Sequence, residues 1–272
     1  MDKKKIAILS NVTVDMVAAK LRKKYSVYIP DGFDMWITDV LNDESALYSN
    51  NIQAVIILLD GTEFRSLRSG EEFSQRVALW RNATEKLIEK ITDIPIFVST
   101  IDFRESAIRT YSERKYYIEW ADEWYQFVQS LAESKKNVYV MDILQRILNE
   151  GRNSFYSNKM WYMGSMPYSK NGIIAVVDEI SKALSAVFES RKKIIALDLD
   201  NTLWGGVIGE DGINGVELSE HKEGARFYDF QLRLLEMQKR GILLAINSKN
   251  NCEDAMEAIE NHPHMLLRKN SF

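Results

Sequence analysis

Sulfur chemistry has little to work with in this 272-residue chain: its one cysteine, Cys252, allows no internal disulfide. The three histidines, His221, His262 and His264, all fall late, and residues 1–190 contain none. A Ser-His or Cys-His hydrolytic pair is therefore excluded from that stretch. Only four prolines and thirteen glycines occur, which removes collagen-like and Pro/Gly-rich disordered classes. Long apolar runs are missing as well. The longest stretch without Asp, Glu, Lys or Arg, Ser45 to Leu59, is interrupted by Ser, Asn and Gln and cannot cross a bilayer. The opening MDKKKIAILSNVTVD has a four-residue apolar core before Ser10 and no small-residue cleavage pattern, so it does not read as a secretory signal. Nor is there an excess of positive charge. The net charge of −4, spread along the chain, offers no footing for nucleic acid or an anionic membrane. Together these absences place the expected protein in the cytoplasm.

What is present is ordinary globular material, 46% apolar, 27% charged and 11% aromatic. Short β-rich apolar runs alternate with longer helical patterns, the signature of parallel sheets covered by helices. The expected fold class is α/β, with two doubly wound, Rossmann-like parallel-sheet domains. In residues 1–190, strands are expected at Lys5 to Leu9, Tyr25 to Ile29, Ala54 to Leu59, Pro95 to Ser99 and Asn137 to Met141. Helices are expected at Val14 to Lys24, Glu71 to Ile91, Glu113 to Glu133 and Gly172 to Glu189. The aromatic series Tyr116, Trp120, Trp124 and Phe127 has helical spacing and reads as a buried stripe. The basic cluster Arg191, Lys192 and Lys193 marks the boundary, and the βα rhythm restarts in residues 191–272. There the pattern gives strands at Ile194 to Leu197, Ile242 to Ile246 and Met265 to Leu267, and helices near Glu223 to Arg240 and Cys252 to Asn261. Three strands are few for a doubly wound domain, so this one reads as truncated.

The stretch richest in chemistry is Ile194-Ile195-Ala196-Leu197-Asp198-Leu199-Asp200-Asn201-Thr202-Leu203. Alternation along a strand places Asp198 and Asp200 on nearly one face at its carboxyl end. Two crowded anions call for a cation, a shared proton or a developing positive charge, and carboxyl strand ends are where open α/β sheets hold ligands. A hard dication with oxygen ligands, such as Mg²⁺, resolves the crowding. A carboxylate beside Mg²⁺ can attack phosphorus, which makes Asp198 the candidate nucleophile and Asp200 the candidate acid/base. The alternative is a pair of Asp residues capping a turn, with Thr202 bonded locally.

DLDNT after an apolar strand resembles the first motif of the haloacid dehalogenase superfamily of aspartate-nucleophile phosphotransferases. The longer match DLDNTLWGGVIGEDG, with Ile246-Asn247-Ser248-Lys249-Asn250 downstream, resembles its FkbH-like subfamily. The resemblance implies that Asp198 is phosphorylated, that Asp200 is the acid/base, and that Mg²⁺ takes a carboxylate oxygen of Asp198 and the backbone carbonyl of Asp200. Ser248 matches the second motif, whose hydroxyl holds a phosphoryl oxygen. With Thr202, Lys249 and Asn250 it forms the expected phosphate-binding set for a small phosphorylated substrate. The superfamily's third motif, a lysine, and its fourth, an acidic pair, have no matching segment. Lys249 and Lys269 do not match the third and read as solvated side chains. The expectation is thus a fragment of a longer protein, or one that has lost its tail, binding Mg²⁺ weakly. Five of the thirteen glycines fall in Trp204 to Gly215, which reads as a hairpin flap over the site, with Trp204 either lining it or in the core.

FkbH-like relatives imply a second reading, in which a glyceryl or acyl unit is loaded onto an acyl carrier protein. A thiol just before the second-motif serine would suit that chemistry, and Asn247 stands there. Cys252, four residues after Ser248, reads as a small buried hydrophobe. A third reading, of another class, is a binding or scaffold protein whose phosphatase half is vestigial. The histidines, two of them flanking Pro263, read as solvent-facing.

Residues 1–190 resemble, faintly, an SGNH-hydrolase fold, through Ser10-Asn11-Val12-Thr13 after the first strand. Val12 occupies the nucleophile's place, and no histidine lies near Met160 to Pro167, where the family's Asp-x-x-His belongs. The resemblance therefore implies a non-hydrolytic domain. Asn11, Thr13, Asp60, Thr62, Ser99 and Asp102 could line a ligand cleft, and turn chemistry explains them equally well.

Overall fold

A computed structural model describes residues 3–66, 70–104, 114–190 and 192–272. The chain divides into two compact units, Met1–Glu189 and Ser190–Phe272.

The first unit runs β1 (Lys5–Leu9), α1 (Asp15–Leu21), β2 (Ser26–Tyr28), α2 (Trp36–Leu41), α3 (Ala46–Ser49), β3 (Ala54–Ile57) and α4 (Gly70–Lys90). It continues with β4 (Ile96–Ser99), α5 (Arg114–Ser134), β5 (Val138–Met141), α6 (Ile143–Glu150), α7 (Arg152–Phe155), α8 (Asn158–Gly164) and α9 (Lys170–Phe188). The strands form one parallel sheet in the order β2-β1-β3-β4-β5. Side-chain alternation splits its residues between two cores. Ala7, Leu9, Val55, Ile57 and Val98 face Trp36 of α2, Trp80 of α4 and Trp124 of α5. Ile6, Ile8, Ile56 and Phe97 face Val17 of α1, Ile147 of α6 and Val176 of α9. With both faces covered, the strands are continuous apolar runs, as parallel sheets require. The order reverses between β1 and β3, so the carboxyl ends of that pair form the switch point of the fold.

The aromatic stripe is buried at Trp124 and Phe127, while Trp120 is partly buried and stacks on Phe73 with ring centroids 3.6 Å apart. Tyr116 lies outside the described side chains. Helices α2, α3, α6, α7 and α8 fall in segments whose apolar pattern gave no element. Three of them are started by side chains that accept a backbone N–H: Ser45 from Leu47, Asp142 from Gln145 and Ser157 from Met160.

The second unit comprises β6 (Ile194–Leu197), α10 (Ile208–Gly215), α11 (Ala225–Lys239), β7 (Leu243–Ile246) and α12 (Cys252–Asn261). Strands β6 and β7 pair in parallel, Ile194 opposite Leu243 through Leu197 opposite Ile246. One face of the pair packs Leu197 and Leu244 into a core with Trp204, Leu234 of α11 and Ile259 of α12. The other leaves Ile194 and Leu243 exposed.

Several expectations for this unit need correction. Met265 to Leu267 is buried but forms no strand, because the backbone N–H groups of Leu266 and Leu267 donate to the side-chain oxygen of Gln231 at 2.9 and 3.2 Å. The glycine-rich segment is no hairpin flap. A single antiparallel bridge joins Gly205 to Glu217, and between them the chain winds into α10, with Gly206 and Gly212 at φ of 96° and 63°. His262 is buried rather than solvent-facing, which pushes its imidazole below the ordinary value, while His221 and His264 are exposed. Cys252 is exposed rather than buried.

Candidate active site

Strand β6 delivers Asp198 and Asp200 at its carboxyl end, and Leu199 between them points the opposite way into the core. Beside it, β7 ends and Asn247 N–H donates to Leu197 O at 2.8 Å, which carries the parallel ladder one residue further and fixes the adjoining turn. The two turns enclose a cavity of about 350 Å³ lined by Asp198, Asp200, Asn247, Ser248, Lys249 and Asn250. Asp198 and Asp200 thus meet the residues Asn247 to Asn250 at one pair of strand ends.

The two carboxylates have different surroundings. Asp198 is exposed, and among the described residues its Oδ1 accepts only the backbone N–H of Leu199, at 2.8 Å. Asp200 is half-buried and its Oδ1 accepts from Trp204 Nε1 at 3.0 Å, Ile208 N–H at 3.1 Å and Asn250 Nδ2 at 2.9 Å. Neither forms an ion pair among the described residues. Ser248 Oγ accepts the backbone N–H of Asn250 at 3.3 Å, and its own hydrogen remains available to a ligand. Lys249 is exposed at the rim.

Two residues expected around a phosphate stand elsewhere or act differently. Thr202 does not line the cavity; its backbone N–H closes a turn onto Leu199 O at 3.1 Å. Asn250 lines the cavity and gives one of its amide hydrogens to Asp200. The sequence reading missed the polar role of Trp204, which is fully buried yet aims its one donor at Asp200. An indole four residues after a carboxylate, on a glycine-rich turn, was the available signal. Asn201 supports this turn: at φ 54° its side chain accepts Gly206 N–H at 3.0 Å.

In the first unit Asn11, Asp60, Thr62, Ser99 and Asp102 are buried, whereas Thr13 is partly exposed, and Thr13 and Asp102 each line a cavity. Asn11 bridges to Asp60, Ser99 Oγ accepts Leu59 N–H at 3.0 Å, and Asp102 holds Arg152 through two hydrogen bonds of 2.8 Å. Burial pushes the Asp60 carboxyl up to about 6, against the lowering effect of Thr62. Glu63 shares Arg76 with Asp34. Val12 is buried, and Thr13 N–H donates to Ser165 O at 3.1 Å. Among the described residues no helix is long and apolar enough to cross a membrane.

No family model matches the chain, and no curated protein matches it. Among solved structures, the chain is similar to the N-terminal part of a Bacteroides fragilis protein containing a phosphatase domain complexed with Mg, at 20% identity and a TM-score of 0.88. That match covers 100% of this chain and 76% of the other. A lipase/acylhydrolase from Enterococcus faecalis follows at 16% identity and a TM-score of 0.46, over 70% of this chain and 99% of that one. The C-terminal catalytic domain of a Streptococcus pneumoniae peptidoglycan O-acetyltransferase gives 13% and 0.42, over 68% and 94%. The first likeness shows a shared α/β fold.

Proposed function

We propose that the chain is a Mg²⁺-dependent phosphatase or phosphotransferase acting on a small phosphorylated metabolite through a phosphorylated Asp198. The observation that carries this reading is the asymmetry of the two carboxylates. Asp198 has an open oxygen in a cavity with Ser248 and Lys249, and Asp200 is fixed beside it. A nucleophile needs a free lone pair, whereas an acid/base needs a defined position.

The donor set suits Mg²⁺. Among the described residues no group of three or more His, Cys, Asp or Glu side chains converges. Magnesium, however, ordinarily takes one or two carboxylates and fills its shell with water and substrate phosphate. Asp198, through a carboxylate oxygen, and Asp200 would hold it. When bound, the ion supplies charge neutralisation at the phosphoryl oxygens. Ser248 donates its hydroxyl hydrogen to a phosphoryl oxygen, Lys249 adds a positive charge at the rim, and Asp198 attacks in line with the leaving oxygen. The similar Bacteroides fragilis structure, with its Mg-complexed phosphatase domain, supports the same reading.

Loading of an acyl carrier protein is less favoured, because the cavity contains no thiol: Asn247 precedes Ser248, and the exposed Cys252 does not line the site. The test is phosphate release from a panel of small phosphomonoesters. Release that requires Mg²⁺, stops with a chelator and is lost in Asp198→Asn supports an enzyme. Equal release by Asp198→Asn would overturn Asp198 as the phosphoryl acceptor, and none from wild type returns the chain to a binding or scaffold role.

A further inference from the structure

The switch point between β1 and β3 is bridged by Asn11 and Asp60, but the first unit keeps an open space further along its sheet. A cavity of about 420 Å³ lies past the carboxyl ends of β4 and β5, lined on one side by α5 and on another by α6. That volume is of the size that holds small molecules, roughly 300–1,000 Å³. On α5 the lining runs from Tyr117 to Tyr125, about 12 Å of helix at 1.5 Å per residue. A stretch of that length suits a small molecule and is short for a docked helix.

The walls of the cavity are apolar. Ile118, Ala121 and Tyr125 share one face of α5 at helical spacing, and Leu148 of α6 lines the same space. Ile118, Tyr125 and Leu148 are exposed, so three large apolar side chains gather in one recess instead of scattering over the surface. Its charge is negative. Asp102, Asp122 and Asp142 line it against one cation, Arg152, and Arg152 is already held by both oxygens of Asp102 at 2.8 Å. Asp122 is exposed, and its side chain has no partner among the described residues. Asp142, at the start of α6, accepts Thr100 Oγ1 at 3.0 Å and Gln145 N–H at 3.1 Å on Oδ1, and among the described residues nothing on Oδ2. Two carboxylates without a counter-ion therefore share a recess with the rings of Tyr117 and Tyr125, whose faces also attract a cation. An anion would be repelled, and a neutral ligand would leave both carboxylates uncompensated.

We propose that this cavity binds a small organic cation, an amine or guanidine carried on an aliphatic or aromatic body. The cationic head pairs with Asp122 and Asp142, and the body covers Ile118, Ala121 and Leu148. The site belongs to the first unit alone and does not depend on phosphorus chemistry at Asp198.

The full chain is titrated by ligand-observed NMR with 2-phenylethylamine and hexylamine, beside 2-phenylethanol, hexanol and 3-phenylpropanoate, which keep the body and change the head. Each amine should bind about tenfold more tightly than its alcohol, and the carboxylate should not bind. Asp122→Asn, at an exposed side chain, should weaken amine binding about threefold to tenfold. Adding Asp142→Asn, which keeps a capping side chain on α6, should abolish the preference over the alcohols. Unfolding midpoints of both variants should stay at the wild-type value. Equal binding of amines and alcohols, or amine binding unchanged in the double variant, would overturn the proposal. No binding of either amine would also overturn it, and binding of a lysine- and leucine-rich helical peptide in their place would assign the recess to a protein partner instead.

Discussion

Asn11 and Asp60 clasp each other across the carboxyl ends of β1 and β3. Asn11 Nδ2 donates to Asp60 O at 2.9 Å, and Asp60 N–H donates to Asn11 Oδ1 at 2.8 Å. The crevice where an open α/β sheet would receive a ligand is thereby bridged by the protein's own polar groups. The same Nδ2 also reaches Glu63 Oε1 at 3.4 Å, which ties the clasp to the Arg76 ion pairs.

Asn11→Ala should therefore destabilise the chain without touching the candidate active site. It leaves a buried carbonyl and a buried N–H without their partner, a loss of about 1–3 kcal/mol for each unsatisfied group. A lowered urea midpoint, with phosphate release unaltered at low denaturant, is the expected outcome. An unchanged midpoint would show that the clasp contributes nothing.

Asp60 should give stability an acid-side slope of unusual sign. Its folded carboxyl is pushed from the ordinary 3.8 up to about 6 by burial, so the folded state holds the proton more tightly than the unfolded chain does. The resulting stability is fully present below about pH 4 and is lost as pH rises through about 6. Asp60→Asn resembles the neutral acid and cannot ionise. It should match wild type near pH 4 and exceed it at pH 7 by on the order of 3 kcal/mol, from 1.36 kcal/mol per unit. Urea midpoints measured across that range check this, and a constant difference between the two proteins would contradict it.

Gln231 is expected to be the most sensitive polar residue of the second unit. It is fully buried, its Nε2 donates to Leu203 O at 2.8 Å, and its Oε1 accepts Leu266 and Leu267 N–H. Gln231→Leu strands three backbone groups and should cost several times the roughly 1–3 kcal/mol of a single one. Amide exchange at Leu266 and Leu267 should rise to that of unprotected groups, while protection in β1 and β3 stays as it was.

That glutamine also explains where sequence reading stopped. The strands β1 and β6 and the helix α12 were legible because an apolar run or a 3.6-residue stripe was bounded by clear polar stops. Met265 to Leu267 has the apolar run of a strand, but the amides of Leu266 and Leu267 are taken by a side chain 35 and 36 residues away, which no local pattern records. The glycines of 204–215 correctly marked tight backbone turns at Gly206 and Gly212, yet the same freedom serves a short helix as well as a hairpin. At the site, alternation along β6 placed Asp198 and Asp200 together, and the motif spacing drew Ser248 and Lys249 to them. The donors that fix Asp200 were illegible, because Trp204, Ile208 and Asn250 converge only once β6, α10 and β7 are assembled.

Chemical identification of the modified residue decides whether Asp198 accepts phosphorus. Wild-type protein turning over a phosphomonoester with Mg²⁺ is quenched, reduced with borohydride and mapped by peptide mass spectrometry. An acyl phosphate at Asp198 is converted to homoserine, and that conversion at residue 198, absent without substrate and absent in Asp198→Asn, is the result expected. Phosphate release with Asp198 recovered intact, or with the label on any other residue, would contradict it.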